Sequence, residues 1–180
     1  MGKIFAVEYL TLDGVFEEPG IWSGPYFNDE LVKFQQDNLA ECDGLLLGRV
    51  TYDGFSQAWP AMEAETGDFG VRMNSIPKWV ASTTLTAPTW NASVLEGDVP
   101  TAVAALKEQD LTLMVAGSAT LVETLRANGL IDEYRLMIYP LVAGSGRRLI
   151  PDGAAPGELK LTDAATTDSG VIIARYVPAQ

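Results

Sequence analysis

The 180-residue chain has no histidine and a single cysteine, Cys42. Without histidine, Ser-His and Cys-His nucleophilic mechanisms are excluded, and the commonest zinc and iron ligand is missing. One cysteine can neither close an intrachain disulfide nor build a cysteine-based metal cluster, so no metal site is expected. Glu41 and Asp43 flank Cys42 and disfavour its thiolate, which reads as a structural thiol near a helix end. Basic residues are also scarce: 12 Lys and Arg stand against 24 Asp and Glu, a formal charge of −12. That balance argues against a nucleic-acid partner but leaves room for an anionic small ligand in a locally basic or dipole-lined pocket. Apolar runs never reach the roughly 18–20 residues that cross a bilayer. Met1 to Val7 enters strand-like sequence with no signal-peptide h-region. No membrane association and a cytoplasmic location are therefore expected.

What the sequence does have is two apolar runs that each end on a glycine and pass directly into helix-forming sequence. One is Leu45-Leu46-Leu47-Gly48-Arg49-Val50-Thr51-Tyr52; the other runs from Leu111 through Val115-Ala116-Gly117-Ser118-Ala119-Thr120-Leu121. A continuous apolar run is the mark of a buried parallel strand, and a terminal glycine lets a ligand approach the backbone. The helix that follows points free N–H groups at the same spot, which suits phosphate. Two such junctions can hold the two ends of a dinucleotide.

Elsewhere the pattern alternates strand and helix. Lys3–Leu10 reads as a strand leading into the Asp13-Gly14 turn and an acidic loop carrying Trp22, Tyr26 and Phe27. Asn28 is placed to cap a helix that buries Leu31, Phe34 and Leu39, with Gly44 just past its end. Tyr52–Trp59 is expected to be a short helix or turn stopped by Pro60. Tyr134–Pro140 is a strand, and Leu159–Thr167 with Val171–Val177 forms a hairpin. The chain is thus expected to be one α/β domain spanning 1–180. Its architecture is three-layer α-β-α, with a mixed, mainly parallel sheet and antiparallel C-terminal strands. Ligands should sit beyond the strand carboxyl ends.

Gly48-Arg49-Val50-Thr51-Tyr52 resembles the Gly-Arg-x-Thr-aromatic motif of dihydrofolate reductases, and Gly117-Ser118 resembles their glycine pair. Leu12-Asp13-Gly14, Gly129–Glu133 and Pro140–Gly146 look most like the reductase domain of the bifunctional riboflavin-biosynthesis deaminase/reductase and its stand-alone relatives. The resemblance spans about Lys3 to Val177 and implies a dihydrofolate reductase-like fold with NADPH-dependent hydride transfer to a C=N or C=O bond. It puts the nicotinamide near Ala6–Val7 and the Asp13-Gly14 loop. Gly48, Arg49 and Thr51 would grip phosphate. Gly117, Ser118, Ala119 and Thr120 would receive the pyrophosphate, and Ser82 with Thr83 would border the adenosine ribose.

Each of these residues also has a plainer reading. Gly48-Arg49 could be a simple strand–turn–helix junction. Ser118, where relatives often carry glycine, either crowds the pyrophosphate or hydrogen-bonds it. Arg49 is the candidate for a 2′-phosphate, while Val50 and Thr120 occupy places that are often basic or polar in dihydrofolate reductases, so NADH stays open. Glu30 aligns with the substrate carboxylate of that family, yet it could equally be an exposed acid complementing a helix dipole. Asp13 competes with it for the catalytic role and could instead make an Asx-type turn. Trp22, Phe27 and Tyr52 would contact a flat pterin- or aminopyrimidine-like substrate, or simply close the core. Arg147-Arg148 reads as a solvated or interface feature, and few basic residues offer themselves to a substrate sugar phosphate. The alternatives are a non-catalytic ligand-binding protein on the same scaffold, or a flavin-like cofactor in the same groove. A second copy of the chain, pairing through the C-terminal strands, is the candidate partner.

Overall fold

In the computed structural model, which describes residues 1–179, the strands are β1 (Lys3–Thr11), β2 (Gly44–Gly48), β3 (Lys78–Ala81), β4 (Ala92–Val94), β5 (Thr112–Val115), β6 (Glu133–Tyr139), β7 (Leu159–Thr166) and β8 (Ile172–Pro178). They form one sheet in the order β4-β3-β2-β5-β1-β6-β8-β7. The first six are mutually parallel, and β8 and β7 add antiparallel pairs at one edge. All five residues of β2 are buried, as its unbroken apolar run requires.

Helices cover both faces. A four-residue helix α1 (Pro19–Trp22) precedes α2 (Asp29–Glu41), α3 (Arg49–Thr66), α4 (Asp68–Ser75), α5 (Val99–Lys107) and α6 (Ala119–Ala127). Leu31, Phe34 and Leu39 of α2, Tyr52 of α3 and Met73 of α4 pack one face around Phe5, Val7 and Leu47. Val103 and Leu106 of α5 and Leu121, Val122 and Leu125 of α6 pack the other around Ile4, Ala6 and Leu113. Strand β5 leads to a helix on one face while its neighbours β1 and β2 lead to helices on the other. The carboxyl end of β5 is therefore the topological switch point, where an open sheet leaves a crevice.

Two boundaries differ from the sequence pattern. Pro60 does not stop a helix but lies inside the 18-residue α3. The ring costs one backbone hydrogen bond, but aromatic packing in the turns before it holds the helix: Phe55 meets Trp59 and Trp90 edge-on, and Trp59 tilts against Phe69. Gly44 is not a cap; α2 ends at Glu41, and Gly44 opens β2. Asn28 does cap α2, its Oδ1 accepting from the Leu31 N–H at 3.1 Å.

A buried ion cluster ties β1, β6 and α2 together. Arg135, 1% exposed, donates to both Glu133 oxygens (2.9 and 3.1 Å), Asn38 Oδ1 (2.8 Å) and Glu41 Oε1 (2.8 Å). Its guanidinium stacks 3.8 Å over the Phe5 ring, and Lys3 reaches Glu133 and Glu41 from the rim. The Arg135 bond, aided by Lys3, holds the Glu41 carboxyl at about 2. For Glu133 burial works the other way, yet Arg135 and Lys3 still keep it below the ordinary range. Both carboxyls are more acidic folded than unfolded. Their stabilisation is complete above the ordinary carboxylate pKa of about 4.3 and drains away as pH falls toward 2. The urea midpoint is expected to drop steeply between about pH 4.5 and 2. Arg135→Ala should cost about 3–5 kcal/mol at pH 7 and flatten that drop.

Candidate functional site

The two glycine junctions meet. The Gly48 N–H at the end of β2 donates to the Gly117 carbonyl at 3.0 Å. A Cβ on Gly48 would collide with Ser118 Oγ and stand 2.6 Å from its Cβ and 2.8 Å from its backbone nitrogen. Gly117 has φ +90°, which favours glycine, and a Cβ there would press on Thr51 Oγ1 at 3.0 Å and Phe16 at 3.1 Å. The Gly117–Ser118 peptide is cis. Thus Gly48, Thr51, Gly117 and Ser118 share one tight junction at the switch point.

Arg49, the first residue of α3, extends along the neighbouring strand ends. Its Nε donates to both oxygens of Asp53 at 2.9 Å, and Nη1 donates to Ser82 Oγ at 3.3 Å and Thr84 Oγ1 at 3.1 Å. Ser82 therefore faces Arg49, but Thr83 is exposed and Thr84 supplies the second hydroxyl. On the other side Ser118 caps α6 through Leu121 N–H at 3.4 Å, and Ala119 is buried beneath the first turn. The N–H groups of that turn have no intrahelical acceptor. Thr120 Oγ1 accepts from Arg147 Nη2 at 2.5 Å. Arg147 is thus not merely solvated; its loop delivers a guanidinium to the first turn of α6.

That loop is fixed from below by carboxylates. Asp13 accepts from Thr11 Oγ1 at 2.6 Å, Ala143 N–H at 3.0 Å and Gly144 N–H at 2.8 Å. The Thr11 bond first, then Ala143 and Gly144, lower its pKa to about 2. Asp13 thus ties the end of β1 to the 143–144 loop through its carboxylate. Glu17 Oε2 accepts from the Arg147 N–H at 3.1 Å. Glu30 lies at the start of α2, where its Oε2 accepts from Asn28 Nδ2 at 2.9 Å and the Asp168 N–H of the β7–β8 turn at 2.7 Å.

The aromatic residues part company. Tyr52 is 3% exposed, and its hydroxyl accepts from Thr89 N–H at 2.8 Å, so it anchors the loop after β3 instead of facing a ligand. Phe27 is 44% exposed. Trp22 donates its indole N–H to Glu17 O at 3.0 Å and sets its edge against Tyr139, ring centroids 5.2 Å apart.

Glu8 is the group that periodicity missed. It lies on β1 with 2% exposure, and its Oε1 accepts from the Gly117 N–H at 3.1 Å. Burial pushes this carboxyl well above the usual carboxylate range, against the pull of that bond. An acid inside an otherwise apolar strand, Phe5-Ala6-Val7-Glu8-Tyr9-Leu10, is the one signal that could have marked it. A cavity of about 660 Å³ lies elsewhere, between α6, β6 and the loop that follows, lined by Arg126, Tyr134, Leu136 and Leu149. Charged Arg126, Arg148, Asp152 and Glu158 share its lining with Leu10 and Gly14, and none of the candidate cofactor or substrate residues reaches it. The chemistry-bearing groups lie at the strand ends.

The RibD C-terminal domain family matches residues 3–173 of the chain. "Uncharacterized protein YyaP" of Bacillus subtilis (strain 168) is 30% identical over 139 residues, 76% of this chain and 74% of that protein. A putative riboflavin biosynthesis protein from Shewanella sp. PV-4 superposes with a TM-score of 0.80 at 17% identity, over 99% of each chain. Dihydrofolate reductase from Enterococcus faecalis, complexed with NADP(H) and RAB-propyl, superposes with a TM-score of 0.66 at 14% identity, over 99% of this chain and 98% of that one. These likenesses bear out the dihydrofolate reductase-like fold.

Gly48→Ala is expected to destabilise the protein by about 1–3 kcal/mol in urea denaturation, because the added methyl overpacks the junction. Combining it with Ser118→Gly should recover only part of that loss, since the Ser118 backbone nitrogen still blocks the methyl.

Proposed function

The chain belongs to the RibD C-terminal domain family, and from that membership we propose that it is an NAD(P)H-dependent reductase of a small pterin- or aminopyrimidine-like heterocycle. The observation that carries this reading is the joined pair of glycine junctions, with a guanidinium on each side. The residues suit a dinucleotide. Gly48 and Gly117 let Ser118, Thr51 and Phe16 close in on the strand ends, and Ser118, Ala119 and Thr120 open a helix at that junction. Arg147 brings positive charge to that turn, and Arg49, with Ser82 and Thr84, brings it to the ends of β2 and β3.

In this reading Ser118, Ala119, Thr120 and Arg147 hold the pyrophosphate. Gly48, Arg49, Thr51, Ser82 and the exposed Thr83 line the adenosine side, with Arg49 on a 2′-phosphate. When bound, the nicotinamide supplies the hydride, so the protein needs no nucleophile of its own. Glu30 remains the proposed substrate carboxylate, and Trp22 and Phe27 the stacking surface. Asp13 positions the Arg147 loop through the Ala143 and Gly144 N–H groups. Among the described residues no helix is long and apolar enough to cross a membrane. The partner proposed beyond small molecules is a second copy along β7, whose residues are all exposed, including Leu159 at 47% and Leu161 at 51%.

The test is a pair of titrations with NADPH and NADH, followed by tryptophan fluorescence and confirmed by calorimetry. Saturable binding of NADPH in the micromolar range is expected, with NADH weaker. Arg49→Ala should weaken NADPH roughly tenfold and leave NADH nearly unchanged, the loss of one charge-assisted bond. Equal effects on both would remove the 2′-phosphate assignment. Failure of either to bind up to about 1 mM, no stronger than roughly 4 kcal/mol, would leave only a ligand-binding scaffold.

A further inference from the structure

Tyr139, the last residue of β6, is fully buried, and its hydroxyl has no hydrogen-bond partner. A buried hydroxyl without a partner is destabilising, and phenylalanine would fill the same space without that cost. The ring stands opposite Thr11 in the β1–β6 register, at the carboxyl end of the sheet on the α2 face. Three aromatic rings wall it. Tyr9 of β1 stacks on it with centroids 5.8 Å apart and planes 16° from parallel. Trp22 and Tyr26 present their edges at 5.2 and 5.8 Å.

The walls differ in how firmly they are held. Tyr9 sits in the sheet, and its hydroxyl accepts from Gln35 Nε2 of α2 at 2.7 Å. Trp22 and Tyr26 come from the four-residue α1 and the single 3-10 turn after it, neither of which has a buried residue. One face of the box is therefore scaffold and the other is a short segment that leans on it through two ring edges.

We propose that Tyr139 is a specificity-determining residue, whose hydroxyl donates a hydrogen bond to a carbonyl oxygen or ring nitrogen of a flat, uncharged heterocycle. This deepens the reductase reading and rests on it for the ligand's place in the reaction. The ligand enters where the Trp22 and Tyr26 edges lean on Tyr139, and Trp22 moves aside to stack on it. Flatness follows from the stacked pair, and the acceptor atom follows from a phenol that donates: burial, and secondarily Tyr9, raise its pKa, so it keeps its proton. Lack of charge follows from the four aromatic rings that form the box.

The test compares wild type with Tyr139→Phe by calorimetry, using pterin, lumazine and 5,6-diaminouracil as probes and NADPH as a separate ligand. At least one probe should bind wild type and bind Tyr139→Phe roughly tenfold more weakly, the loss of one neutral hydrogen bond. NADPH affinity should not change, and the variant's Tm should stay level or rise, because no internal bond is removed. Equal probe affinity in the two proteins would overturn the proposal. So would a Tm fall of several degrees, which would reveal an internal partner for the hydroxyl. If NADPH binds and no probe does, Tyr139 loses its role and the cofactor reading stands. A probe that discriminates between the two proteins when NADPH fails to bind would keep the Tyr139 site and remove the nicotinamide reading.

Discussion

Two strand ends that a side chain would force apart are in direct contact. The Gly48 N–H reaches the Gly117 carbonyl at 3.0 Å, and Ser118 packs where a Gly48 Cβ would be. Because β2 and β5 are adjacent and lead to helices on opposite faces, this contact sets the spacing of α3 and α6. Arg49 opens one of those helices and Thr120 lies in the first turn of the other. The same contact fixes Gly117, whose N–H meets the buried Glu8 carboxyl and whose α-carbon lies against Thr51. Every group in the proposed cofactor site is therefore placed relative to a junction that tolerates no added methyl.

Charge is divided along the strands in a way that the net value of −12 conceals. Toward the amino-terminal half of β1 and β6, Arg135 and Lys3 neutralise Glu133 and Glu41, and nothing there is available to a ligand. At the carboxyl ends, Arg49 and Arg147 lie over helix starts, where backbone N–H groups add to their field. Asp13 and Glu17 carry negative charge in the same region but spend it on backbone N–H groups of the 143–147 loop. The ion cluster thus draws on Arg135 and Lys3, while Arg49, paired with Asp53, and Arg147, donating to Thr120, lie at the strand carboxyl ends.

The layers, the parallel order of the sheet and the two junctions were legible because each is written locally. An unbroken run such as Leu45-Leu46-Leu47, closed by a glycine, fits a strand buried on both sides, and Asn28 caps the helix that starts at the next residue. Pro60 misled because its penalty is local, whereas Trp59 and Phe55 recover the helix through contacts with Phe69 and Trp90. Arg147 on Thr120, Glu8 on Gly117 and the ring of Tyr9, Trp22 and Tyr26 about Tyr139 join residues far apart in the chain. No spacing rule links them. Tyr52 was placed on a ligand because its motif carries an aromatic there; the motif does not say which way the ring turns.

The proposed cofactor site requires one dinucleotide to touch both junctions at once, and backbone amide NMR during an NADPH titration reads that directly. The expected result is concerted movement of the amide signals of Arg49, Val50 and Thr51 together with those of Gly117 through Thr120, saturating with one dissociation constant. Shifts confined to a single junction, or to the cavity around Arg126, Tyr134 and Leu149, would contradict it.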